Sequence, residues 1–93
     1  MLQQIKQFFK KSNEMVDAVD YLTNHMNYHL ANICDKEFTM FGKQQLHFLV
    51  NSKTNNLNNK QIDKVINLAL HNVVSNNKAK YMITKNAIYL SAH

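Results

Sequence analysis

The sequence predicts an α+β domain, mostly helical, whose elements run helix, short strand, helix, helix, β-hairpin, with an amphipathic helical arm at the N-terminus. Three observations carry this expectation. Apolar residues recur at steps of three and four through the first third of the chain and again between residues 62 and 73, the period of a helix buried along one face. Two runs near the C-terminus, Lys80-Tyr81-Met82-Ile83-Thr84 and Ala87-Ile88-Tyr89-Leu90-Ser91, are rich in β-branched and aromatic residues and are separated by Lys85-Asn86, the arrangement of a hairpin. Finally, 93 residues with 45% hydrophobic content suit one small domain with its own core.

The first element is marked by Ile5, Phe8, Ser12, Met15, Val19, Leu22, Met26, His29 and Ile33, which form one seam in which only Ser12 and His29 are polar. Either one helix or two helices broken at Ser12-Asn13 accommodates the seam, and the break is the expectation. Ser12 or Asn13 can cap a new helix, and Glu14 and Asp17 then lie in its first turn, where the helix dipole favours negative charge. This divides the chain into an arm over residues 1–12 and a domain over residues 13–93. Leu2, Ile5, Phe8 and Phe9 on the arm are expected to bind a protein partner or a second copy.

Glu37-Phe38-Thr39-Met40-Phe41 is a short β-prone run ended by Gly42, the only glycine, and reads as a strand followed by a turn. Leu46, Leu49 and Val50 give residues 43–51 a helical period, and the Asn-rich residues 52–59 read as a loop. Asn58 or Asn59 can cap the next helix. There Ile62, Val65, Ile66, Ala69, Leu70 and Val73 make the clearest amphipathic pattern in the chain. Its outer face is Lys60, Asp63, Lys64, Asn67 and His71.

Charge is unevenly distributed. Residues 1–37 hold five of the six acids, whereas residues 38–93 hold seven lysines against the single acid Asp63. The net charge is +5, all eleven basic residues are lysine, and asparagine occurs fourteen times, a bias that matches an AT-rich coding sequence. Without arginine the chain lacks the planar fork suited to guanine edges, so DNA contacts must rest on lysine to phosphate and on Asn or Gln to adenine. Lys60, Lys64, Asn67, His71, Lys78, Lys80 and Lys85 are the expected nucleic-acid surface, for duplex or single-stranded DNA with low sequence specificity. Tyr81 and Tyr89 either stack on bases or pack on the hairpin's core face. A reading from another class stays open: the lysines are solubilising, and the chain is a phage-type adaptor or inhibitor that captures an acidic surface of another protein.

Catalysis is not expected. One glycine cannot make a phosphate-cradling loop, and no nucleophile elbow or paired-histidine zinc motif occurs. His25 and His29 have the spacing of two metal ligands on a helix, with Cys34 just beyond, but nothing completes a tetrahedral set, so neither metal nor cofactor is expected. Glu14, Asp17 and Asp20 read as a solvated helix flank. The lone Cys34 cannot form an internal disulfide and fits a reducing compartment. The longest apolar runs fall far short of the roughly 20 residues that span a bilayer, so a cytoplasmic location is expected.

The element order over residues 13–91 resembles the winged helix-turn-helix fold. The resemblance makes the helix over residues 60–75 the recognition helix and the hairpin over residues 80–91 the wing, and it implies a helix in the major groove with the wing on the backbone. The Asn-rich turn before that helix is longer than the family's tight turn. The arginine-free composition, the Glu37-Phe38-Thr39 entry, the helix ending near Val73-Val74 and the final Lys80-Tyr81 to Tyr89 hairpin also resemble small accessory proteins in the replication modules of staphylococcal mobile elements. One such protein partners the primase-polymerase of the cassette chromosome. This resemblance implies a non-catalytic accessory role in replication or transcription control.

Overall fold

The structure, a computed structural model, describes residues 2–34 and 37–92, with side chains from Asn13 onward. Its elements are α1 (Leu2–Ala31), β1 (Phe38–Gly42), α2 (Lys43–Lys53), α3 (Asn59–Asn77), β2 (Lys80–Ile83) and β3 (Ala87–Ser91). The fold is α+β and mostly helical, with a three-stranded antiparallel sheet. Among the described residues no helix is long and apolar enough to cross a membrane.

The break expected at Ser12-Asn13 does not occur, because α1 runs through both residues. Serine and asparagine cost only a few tenths of a kcal/mol each inside a helix, and neither is the proline or glycine that would interrupt the amide ladder. The seam also differs from the expected one. Ala18, Leu22, Met26 and Leu30 are buried, flanked by partly buried Met15, Val19, Tyr21 and Ile33, whereas His29 is exposed. A seam stepped by alternating threes and fours drifts around a straight helix of about 3.6 residues per turn, so its last turns pass from His29 to Leu30.

No turn separates β1 from α2. Gly42 is the last residue of β1 and the N-cap of α2, with φ −66° and ψ 134°, a conformation open to any residue. An added Cβ there would meet only Gln45 Cβ at 3.9 Å.

The Asn-rich connection between α2 and α3 is ordered by three anchors. Leu57 is buried in the core, and Asn56 Nδ2 donates to Glu14 Oε1 of α1 at 2.8 Å. Asn58 caps α3 in a reciprocal box: its side chain accepts from the Gln61 amide, and the Gln61 side chain accepts from the Asn58 amide, both at 2.9 Å. All six residues of the predicted apolar stripe of α3 are buried, and α3 packs chiefly against α1. Its C-cap, Lys78, takes the left-handed conformation with φ 50° and donates to Val74 O.

The strand order is β1-β3-β2, so the second strand of the hairpin is central and pairs with β1. Phe41, Ile88 and Leu90 are buried at 4%, 1% and 0% exposure, which fixes the inward face. Strand alternation then turns two cross-strand rows outward: Phe38, Ser91 and Lys80, and next to them Met40, Tyr89 and Met82.

Candidate nucleic-acid interface

Position on α3 decides which predicted contacts can act together. Lys60, Lys64, Asn67 and His71 follow at steps of four, three and four, opposite the buried stripe, and all are exposed. They therefore make one ridge of adjacent turns. On one flank, Asn67 and His71 share a shallow hollow of about 230 Å³ with Leu70, Val74 and the hairpin residues Tyr81 and Ile83. On the other, Lys64 lines a groove of about 340 Å³ with Val16, Asp20 and Leu68.

The other predicted lysines are exposed but dispersed. Lys78 and Lys80 lie where α3 passes into β2, whereas Lys85 lies past the other end of that strand, more than about 10 Å away at roughly 3.3 Å per residue. At the hairpin tip Lys85 joins Lys43 and Gln44 around a hollow of about 450 Å³, and the Lys43 amide donates to Asn86 O at 2.9 Å. The tip turns at Lys85-Asn86 without a left-handed residue. Thr84 closes it, its amide donating to Ala87 O at 2.9 Å and its hydroxyl accepting from the Ala87 amide at 3.1 Å.

Lys43 was not a predicted contact. Nothing in its own neighbourhood marks it; the pairing of β1 with β3 brings it to the hairpin. Sequence reasoning also missed the partner of Asp63. His47 Nε2 lies 2.8 Å from Asp63 Oδ1, the one ion pair among the described residues when the imidazole is protonated. The only acid after residue 37 is thereby engaged by α2, and none of the ridge lysines is tied up in an ion pair there.

The histidines of α1 lie elsewhere. The rings of His25 and His29 are 4.7 Å apart, and both meet Phe41 edge-on, at 5.8 and 5.7 Å. Partial burial, and secondarily the neighbouring His29, lower the His25 pKa below its ordinary value. Among the described residues no three His, Cys, Asp or Glu side chains gather as a metal site would require. Leu2, Ile5, Phe8 and Phe9, the predicted protein-docking residues, lie outside the described side chains.

The ridge as built offers two flexible cations, an amide and an imidazole to a long negative ligand. Lysine to phosphate gives position and affinity without sequence choice, and Asn67 is the one ridge residue that can pair with an adenine edge. No protein family matches the chain, and no curated protein or solved structure matches it.

Proposed function

We propose that this chain is a non-catalytic nucleic-acid-binding adaptor of winged-helix type, with α3 as the recognition helix and the β2–β3 hairpin as the wing. The carrying observation is the α3 ridge: Lys60, Lys64, Asn67 and His71 are exposed on adjacent turns, with the hairpin residues Tyr81 and Ile83 beside Asn67 and His71. The hollow that Tyr81 and Ile83 of the hairpin share with Leu70 and Val74 of α3 supports the same reading, because a wing lies beside the recognition helix. Lys43 and Lys85 add a second basic point at the hairpin tip, and Lys78 and Lys80 a third at the far end of β2. Leu2, Ile5, Phe8 and Phe9 give the adaptor its protein-docking end. The resemblance to small accessory proteins of mobile-element replication modules implies service in replication or transcription control.

Binding of a duplex to the full chain, followed by fluorescence anisotropy across a salt series, tests the ridge. Replacing Lys60 and Lys64 together by Glu should weaken binding to all sequences alike. It should also flatten the dependence of log K on log salt by about two, since each lost phosphate contact removes roughly one released counterion. The fold should persist, because exposed charges contribute little to stability. A double variant that binds as tightly as its parent at low salt removes the ridge from the interface.

A further inference from the structure

The outward face of the sheet is built unlike a solvated surface. Phe38 is 64% exposed and Met40 and Met82 are each 58% exposed, and the register places them around Tyr89 on the central strand. Phe38 meets Tyr89 edge-on with ring centroids 5.6 Å apart and planes inclined by 68°. Phe38, Tyr89, Met82 and Lys80 line a hollow of about 430 Å³, in which Lys80 is the only lysine or acid. The nearest acid in sequence, Glu37, is turned to the Cys34 amide at 3.4 Å.

Apolar surface of this kind calls for an occupant. A second copy is a poor one. With a large side chain offering ~150–250 Å² when bare, the four apolar residues supply roughly 400–500 Å² per copy. Two copies then bury at most about the 1,000 Å² at which specific interfaces begin, and each copy brings a charge of +5. A nucleic-acid strand needs less area and gains from that charge. It requires a ring face for each base and a cation for each phosphate, and the exposed Phe38 ring, the half-buried Tyr89 ring beside it and the neighbouring Lys80 supply both. Base faces inside a duplex are already stacked, so only unpaired bases can use such a surface.

We propose that this face is a stacking platform for single-stranded nucleic acid. Phe38 and Tyr89 receive bases, Met40 and Met82 border them with polarizable thioethers, and Lys80 with Lys78 meets the phosphates. The platform rests on the reading that the chain binds nucleic acid, but it uses a surface other than the α3 ridge.

The test uses the full chain with labelled oligothymidylate and oligouridylate of about 20 nucleotides, long enough for one such site, and a duplex of equal length. Replacing Phe38→Leu and Tyr89→Leu together removes the rings but keeps the face apolar. Single-strand affinity should fall about 10–100-fold, the loss of one or two stacked bases, while duplex affinity stays at the parent value. Lys60→Glu with Lys64→Glu should show the reverse pattern. Phe38→Trp should retain single-strand binding, and its indole, alone in a chain without tryptophan, should be quenched by the bound strand. The ratio of the two oligonucleotide affinities separates DNA from RNA.

Two outcomes overturn the platform: a parent chain that binds neither oligonucleotide, and a leucine pair that binds them undiminished. A parent dimer shed by the leucine pair with oligonucleotide binding intact would assign the face to self-association instead. If single strands bind through the rings but duplex does not bind at all, the ridge reading falls and the platform stands.

Discussion

α1 and α3 share one plan on the inside and differ on the outside. Each buries an apolar stripe, Ala18, Leu22, Met26 and Leu30 in α1 against Ile62, Val65, Ile66, Ala69, Leu70 and Val73 in α3. Where they meet at their rims, the polar links are neutral: Asn72 to Thr23 at 3.4 Å and Asn77 to Asn27 at 2.8 Å. Their exposed flanks have opposite charge, with Asp17 and Asp20 on α1 and Lys60 and Lys64 on α3. Among the described residues no ion pair joins the two helices, since the only pair found is His47 with Asp63. The opposite charges are therefore not a clamp between the helices. The contact is held by shape and burial, which leaves each exterior free to serve a partner.

Equal truncations on the two sides of that contact give the largest expected effect and test whether the insides are equivalent. Leu22 and Ile66 are 0% and 4% exposed. Leu22→Ala and Ile66→Ala should each cost about 2–5 kcal/mol through lost burial and the cavity left behind. Urea denaturation measures both. A cost below about 0.5 kcal/mol for either, the range of ordinary surface substitutions, would show that helix to be dispensable to the core and end the equivalence.

A middle-sized effect comes from the start of α3. There the Asn58 and Gln61 box satisfies two backbone donors reciprocally, and the cap fixes where the ridge begins. Asn58→Ala should cost about 1 kcal/mol and leave the buried stripe unchanged. It should also weaken duplex binding slightly, because Lys60 lies in the turn the cap holds. Thermal melts together with anisotropy decide this, and an unchanged midpoint would mean that the buried Leu57 alone sets the helix start.

How far the fold was legible follows from the range of the interactions. The stripe and cap of α3 are local, so period and residue type revealed all six buried positions and narrowed the cap to Asn58 or Asn59, of which Asn58 is the cap. Ser12-Asn13 offers capping side chains but no proline or glycine, so the local pattern suggests a break that α1 does not make. Glycine at position 42 suggests a turn, but its φ of −66° uses none of glycine's extra backbone freedom. Pairings between distant segments left no trace in local pattern. The β1-β3 register, which brings Lys43 to Lys85 and turns Phe38 and Tyr89 outward together, is of that kind, and so is the approach of His47 to Asp63. The candidate ridge was thus readable from one helix, whereas the outward sheet face needed three strands in register.

The smallest effect separates the helices by pH. α1 carries His25, whose pKa is held below the ordinary 6.5 chiefly by partial burial and then by His29. The fold thus favours the neutral ring. In the unfolded chain His25 takes up a proton at a higher pH than in the folded chain, so the unfolded state binds more protons as pH falls through and below 6.5. Stability from this group is present above that value and is lost on acidification through the lowered folded pKa. Urea midpoints measured from about pH 7.5 down to about pH 5, the span in which histidine titrates, should fall for the parent. They should fall less for His25→Gln, which cannot be protonated yet keeps a polar side chain beside Phe41. Equal falls in the two proteins would show that His25 is solvated as fully in the fold as outside it. The acid sensitivity would then belong to another group.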